Sequence, residues 1–316
     1  MQSLPVTVMG IFAADLSFRT GQLPGWGETI MGSAFRLGPG GKGSNQAIAA
    51  ARLGGRVRFI SKVGTDPFGE LAQNVHRKAG VQLDFLFTTP DAATGAAAII
   101  VDQGSGENAI VVAPGAANAL TFSDIDSARE AIGESACFMT QLELPLPQVE
   151  YGLRLARSLG VPTILNPAPA CDCSDDLLKL CDYLTPNESE ASSLTGLPVD
   201  TMPQIERAAA ALLKRGARSA VLTLGSRGAF VLGPGVAEHV QAFQIGSVVD
   251  TTGAGDAFNG GFAVGLAEGM SLIEATRFGC AVAGLSVTRP GTATSMPERQ
   301  EVERLYQGLD TAGRSN

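Results

Sequence analysis

From Val6 to Ser286 short apolar, β-branched runs alternate with runs of helical periodicity, a rhythm open to few folds. VTVMGIF (6–12), VRFISKVG (57–64), ACFMTQLE (136–143), VPTILN (161–166), DYLTPN (182–187) and SAVLTLG (219–225) read as strands. Between them SNQAIAAARLG (44–54), FGELAQNVHRKAG (68–80), PQVEYGLRLARSLG (147–160) and MPQIERAAAALLKRG (202–216) read as helices. Ser44 is the expected cap of the first helix and Gly54 its stop. Two Ala-rich helices near 254–268 and 272–286 close the series. Such alternation predicts an α/β fold, doubly wound, with a mainly parallel sheet and helices on both faces.

Residues 15–37 and 82–113 break the rhythm with short alternating strands and Gly or Pro turns, as in TGAAAIIVD and NAIVVAPG. They are too small for a core of their own. The expectation is a small β-sheet lid inserted in an α/β domain made of 1–14, 38–81 and 114–316. A chain of 316 residues, 45% hydrophobic, can bury one large domain with such an appendage. Net charge is −8 and no basic face or tail is visible, so no nucleic-acid partner is expected. No apolar run nears the ~18 residues of a membrane span. The start MQSLPVTVMG lacks a basic segment followed by a long apolar one, and a cytoplasmic protein is expected. Five cysteines, an odd number, and only two histidines argue against a disulfide framework or structural zinc.

Two glycine turns carry the chemistry. In DTTGAGDAFNGGF (250–262), Gly253, Ala254 and Gly255 open a helix and Asp256 follows directly. A helix N-terminus offers unpaired N–H donors and partial positive charge, which suits phosphate. Asp256 reads either as a first-turn capping acid or as a base held beside a phosphate cradle. The second turn, GPGGKGSNQ (38–46), contains a G-x-G-x-x-G match at Gly38, Gly40 and Gly43, with Asp66 near the acidic position of a dinucleotide-binding unit. That reading would make the chain a dinucleotide-dependent oxidoreductase, but the match follows the β-rich insertion rather than the first strand. The alternatives are a plain helix-start turn, or a ligand turn offering Lys42 and Asn45 to a polyhydroxy compound. No P-loop occurs. In TPNESE (185–190), Asn187 and the acids after it read as a helix cap or as organisers of a hydrated Mg2+ near a nucleotide. TLGSRG (223–228) reads as a hairpin turn or a nucleotide contact, and Glu143 stands at a strand end, where open sheets place ligand groups.

GGKGSNQA, LNPAPA, TPNESEA, TLGSRGA and DTTGAGDAFNG occur in this order. As a set, across about residues 5–297, they resemble the ribokinase branch of the PfkB carbohydrate kinases. The resemblance implies ATP-dependent phosphorylation of a pentose's primary hydroxyl, D-ribose first, with 2-deoxyribose or a related sugar as the alternative. It makes Asp256 the base and Gly253, Ala254 and Gly255 the anion hole. Asp15, Gly41, Lys42, Asn45 and Glu143 fall on sugar-binding positions. Asn187, Thr223, Gly225, Ser226, Gly228, Gly255 and Cys280 fall on nucleotide positions, and Glu190 on an acid tied to Mg2+, acting indirectly. Asp250, Thr252, Ser286, Arg289, Gly291 and Ser295 match positions that hold an activating K+, mostly through carbonyl oxygens. It also implies a homodimer formed through the lid. One departure bears on the sugar: Ala13 stands where the family usually carries an Asn that contacts a hydroxyl. Cys280 stands where His or Asn is common.

Overall fold

The computed structural model describes residues 3–313. Its strands, in chain order, are β1 (Val6–Met9), β2 (Ala13–Thr20), β3 (Ala34–Gly40), β4 (Val57–Gly64), β5 (Leu86–Thr89), β6 (Thr94–Asp102), β7 (Asn108–Gly115), β8 (Cys137–Thr140), β9 (Thr163–Leu165), β10 (Tyr183–Leu184), β11 (Ser219–Thr223), β12 (Ala229–Gly233) and β13 (Val236–Val240). Nine form one sheet in the order β5-β4-β1-β8-β9-β10-β11-β12-β13. The pairs from β5 to β11 are parallel, and β12 and β13 add an antiparallel edge. This is the expected doubly wound α/β sheet.

Both faces of the sheet are buried, which is why its strands read as nearly unbroken apolar runs. In register across three strands, Val8, Phe59 and Met139 pack on one face. Met9, Ile60 and Phe138 pack on the other. Each such side chain contributes about 1.5–3 kcal/mol by leaving water. β1 lies between β4 and β8, so the chain winds outward from it in both directions. Crevices at such a reversal, beyond the strands' C-terminal ends, are where open α/β sheets bind ligands. Here β1 and β8 end at Met9 and Thr140, earlier than their apolar patterns suggest. The continuations 10–12 and 141–143 lie beyond the strand ends.

The helices Lys42–Arg52 and Ala254–Ala267 pack closely because Gly260 has no side chain; a Cβ there would stand 2.5 Å from that of Ala49. Small residues thereby bring the two helix N-termini together. Ser44 does not cap the first of these helices. It is buried within it, and the cap position is Gly41, at φ +86°. Gly54, at φ +83°, does follow the helix end.

The separate small sheet has the order β3-β2-β6-β7. It takes in residues 13–14, 38–40 and 114–115, and it omits Leu86–Thr89, which pairs with β4 in the large sheet. The apolar stretch DFLF after the second helix is drawn to the buried sheet rather than to the thin insertion. Phe35, Leu37, Ile110, Val111 and Val112 of the small sheet are exposed. No helix among the described residues is long and apolar enough to cross a membrane. The five cysteines are free thiols.

Candidate active site

The glycines at 40, 41 and 43 serve close packing. A Cβ on Gly40 would collide with the Asp15 carboxylate, and one on Gly43 would lie 2.7 Å from the Gly10 Cα. Gly41 turns the chain from β3 into the helix with a φ that other residues rarely adopt. Two of the first helical N–H groups are taken within the protein. Lys42 N donates to Glu143 Oε2 at 2.7 Å and Ser44 N to the Ile11 carbonyl at 3.1 Å. Asp66 caps its own helix by accepting from Phe68 N and Gly69 N. The turn follows β3 of the small sheet rather than a core strand, and Asp66 is not free for a ribose, so the dinucleotide reading fails.

One face of that helix presents Lys42, Asn45 and Gln46, at i, i+3 and i+4. It meets Asp256 in the first turn of Ala254–Ala267. Asp256 is 5% exposed. Its Oδ2 accepts from Asn45 Nδ2 at 2.9 Å and its Oδ1 from Gln46 Nε2 at 3.0 Å. Asn45 Oδ1 is buried with no partner in the protein. Gly253 begins this helix at φ +80° without a side-chain cap, and the Cβ position of Gly255 faces open space. The turn is thus shaped for close approach of a ligand to backbone N–H groups.

Asp256, Glu143 and Glu190 share the field of the Lys42 ammonium, and Asp15 feels the Asp256 charge. Burial pushes Asp256 above the usual carboxylate range against the pull of Lys42 and the two amide donors. Burial raises Asp15 to about 6, opposed by a Thr292 hydrogen bond and reinforced by the Asp256 charge. Burial raises Glu143 to about 7, opposed by Lys42 and reinforced by Asp256 and Asp15. Glu190 is also raised, by burial first, with the Asn187 N–H and Lys42 acting against it. Burial tends to lower the Lys42 ammonium, but Asp256, Glu143 and Glu190 hold it above its ordinary value. Asp15 also lines a cleft of about 460 Å3 under the small sheet, walled by Arg36 and Pro39 on one side and Asp250, Thr252 and Thr292 on the other. Ala13 precedes Asp15 by two residues on β2, hence on the same face, and is 1% exposed.

Asp250 ties the walls of this region together. Its Oδ1 accepts from Thr252 N and its Oδ2 from Gly291 N, each at 2.9 Å. Burial opposes its charge, but these N–H donors hold it below its ordinary range. The Ser286 and Ser295 hydroxyls donate to the Ala283 and Thr292 carbonyls, and the Arg289 side chain pairs with Glu301 at 2.7 Å. Asn187 and Glu190 form a complete capping box, so the cap reading of that motif is present in full. Thr223 ends β11 beside Asn187, and Gly225–Arg227 is the turn of the β11–β12 hairpin, with Gly228 at φ +92°. Cys280 lies in the helix Leu272–Ser286 and is largely buried, its thiol pushed up to about 12 by burial.

Sequence reading missed the polar groups behind Asp256: Gln46, Gln141, Asn166, Thr185 and Asn259. A signal for Gln46 was available, since it shares the helix face of Lys42 and Asn45. Thr292 was missed too; its hydroxyl donates to the Pro39 carbonyl at 2.9 Å and lies 3.4 Å from Asp15.

A doubly wound sheet, a separate small sheet bordering a cleft, and a carboxylate at a glycine-turned helix N-terminus together define a phosphotransferase with an alcohol acceptor. The chain belongs to the pfkB family carbohydrate kinases, whose profile matches residues 4–299. It is 41% identical over 296 residues to the ribokinase of Haemophilus influenzae, covering 94% of this chain and 96% of that protein. It is 36% identical over 299 residues to the deoxyribokinase of Salmonella typhi, covering 94% and 97%. The structure of Arabidopsis thaliana ribokinase complexed with ribose and ATP superposes with a TM-score of 0.89 at 33% identity, covering 96% of this chain and 99% of that one.

Proposed function

We propose that this chain transfers the terminal phosphoryl group of ATP to the primary hydroxyl of D-ribose, giving D-ribose 5-phosphate and ADP. The observation that carries this reading is the pairing of Asp256 with the Gly253–Gly255 turn, beside the unpartnered acceptor Asn45 Oδ1. A buried acceptor without a donor is rare in proteins, and a sugar hydroxyl supplies the donor. Asp256 accepts the hydroxyl proton as the O–P bond forms. The turn's fixed dipoles stabilise charge on the transferring group. Asp15, Gly41, Lys42, Asn45 and Glu143 hold the sugar. Asn187, the turn from Thr223 to Gly228 and Cys280 border the nucleotide. The small sheet closes as a lid and excludes water, which limits ATP hydrolysis. A coupled ADP-release assay over a panel of pentoses and hexoses tests the reading; no ADP with any sugar overturns it.

Among the described residues no group of three acids, histidines or cysteines stands close enough to hold a metal. Both Glu190 oxygens already accept from Asn187, at 2.8 and 2.9 Å. This fits an Mg2+ carried in on the nucleotide phosphates, with Glu190 reached through ordered water. Bound there, Mg2+ neutralises phosphate charge. An activating K+ would lie by the loops at 250–252 and 286–295. The Asp250 oxygens are taken by N–H donors and Arg289 points to Glu301, which leaves carbonyl oxygens for the ion. Activity is therefore expected to rise when K+ replaces a bulky organic cation at equal ionic strength, and identical rates in the two salts would remove the ion.

2-Deoxyribose is a second reading, favoured by Ala13 and by the deoxyribokinase relative. Without an Asn there, one sugar hydroxyl lacks a partner, and a net hydrogen bond is worth about 0.5–1.5 kcal/mol. Ala13→Asn is expected to raise kcat/KM for ribose relative to 2-deoxyribose by about two- to tenfold. An unchanged ratio, with both sugars measured on both proteins, would assign Ala13 to the core rather than the sugar. The exposed apolar strip of the small sheet supports a homodimer in which two lids pack together. A cytoplasmic location accords with this chemistry.

A further inference from the structure

None of the roles above uses the chain of amides behind Asp256. Gln141 Nε2 donates to Gln46 Oε1 at 2.6 Å. Gln46 Nε2 in turn donates to Asp256 Oδ1 at 3.0 Å and to Asn166 Oδ1 at 3.1 Å. Asn166 Nδ2 donates to the Thr185 carbonyl at 3.1 Å, which anchors the chain to the end of β10. Thr185 Oγ1 donates to Asn259 Oδ1 at 2.6 Å, and Asn259 Nδ2 to the Gly255 carbonyl at 2.8 Å. One buried network thus grips both the carboxylate and the glycine turn beside it.

The direction of these bonds is determined by chemistry. Flipping the Gln46 amide would set its oxygen against the Asp256 carboxylate and the Asn166 oxygen, two acceptors facing an acceptor. Gln141, which selects the orientation, has its own amide confined. A Cβ on Gly10 would collide with its Oε1, and one on Gly43 would lie 2.9 Å from it. Gly43, which a dinucleotide reading would assign to phosphate, instead makes room for this side chain.

We propose that Gln46 is a positioning residue for Asp256, oriented by Gln141, and that the pair sets the plane of the carboxylate that faces the acceptor hydroxyl. The proposal rests on the reading of Asp256 as the base. A donor to the ionised carboxylate favours that form, so its loss moves the Asp256 titration to higher pH. The other charges facing Asp256 are Lys42, which lowers its pKa, and the carboxylates Asp15, Glu143 and Glu190, whose pKa values its own charge raises. They are common to wild type and variant and drop out of the comparison.

The test uses the full chain with aspartate carboxyls labelled with carbon-13, the Asp256 resonance being the one missing from Asp256→Asn. Gln46→Met is expected to lower kcat about 10- to 100-fold. KM for ribose and ATP should stay within about twofold, as for an interaction made in the transition state. The Asp256 midpoint and the acid limb of kcat should both rise by about one pH unit. Gln141→Met should move the midpoint the same way by less, and it carries the test if Gln46→Met does not fold. An unmoved Asp256 midpoint, with a lower melting temperature as the sole effect, would overturn the proposal and leave Gln46 a packing residue. Full turnover by Asp256→Asn would instead remove the base while leaving the Gln46 contact intact, so the two failures are distinguishable.

Discussion

Asp256→Asn is expected to lower kcat by about 10²–10⁴-fold, the usual worth of a general base, while ATP binds nearly as before. The amide keeps the size of the carboxylate but cannot take a proton. Half of it also clashes chemically with its surroundings. Asn45 Nδ2 and Gln46 Nε2 both donate to the carboxylate, so an amide at 256 must turn its own NH2 toward one of two donors. The Lys42 ammonium, held above its ordinary pKa partly by Asp256, loses part of that support. Single-turnover rates with saturating ATP and sugar, beside a nucleotide-binding titration, check the prediction. Turnover within a few-fold of wild type would show that the proton leaves by another route.

Asp15→Asn is expected to cut kcat/KM for the sugar by about 100-fold and, at the same time, to stabilise the free protein. The first effect follows from the loss of charge-assisted bonds to sugar hydroxyls, each worth about 1.5–3 kcal/mol. The second follows from linkage. Burial lifts the Asp15 pKa from 3.8 to about 6, so folding favours the protonated form. Stability therefore falls as pH rises through the interval from about 4 to about 6, and above it the folded protein carries the full cost of a buried charge. Removing that charge raises the melting temperature by a few degrees at pH 7.5, at ~2–4 °C per kcal/mol. The gain shrinks below pH about 6 and is gone only well below 3.8, where Asp15 is protonated in both states. Glu143, raised to about 7 partly by the Asp15 charge, titrates lower in the variant, which adds to the gain near neutral pH. Melting curves across this range, with sugar kinetics, check both halves. A variant less stable than wild type at pH 7.5 would show that Asp15 is structural rather than strained for binding.

The alternation of apolar strands with amphipathic helices was enough to specify the doubly wound sheet, because buried parallel strands and two-sided helix packing impose that pattern on sequence directly. The positions of the two glycine turns and of Lys42, Asn45, Glu143 and Asp256 were legible as motifs for the same local reason, since helix starts and strand ends have residue requirements of their own, whereas Asp15, inside β2, was reached only through the family resemblance. What the glycines do was not legible. Gly40 yields to the Asp15 carboxylate, Gly43 to Gly10 and Gln141, and Gly260 to a neighbouring helix. Each is a contact between segments distant in the chain, invisible to any local window. The same holds for Leu86–Thr89, short enough to suit either sheet and placed in the large one by its pairing with β4. It holds most for the amides behind Asp256. Gln46 and Gln141 are 95 residues apart and Gln46 and Asp256 are 210 apart. A side-chain hydrogen bond leaves no periodic trace in a sequence, so only folding, by closing the sheet and packing two small-residue helices together, turned scattered Asn and Gln residues into one oriented network around a single carboxylate.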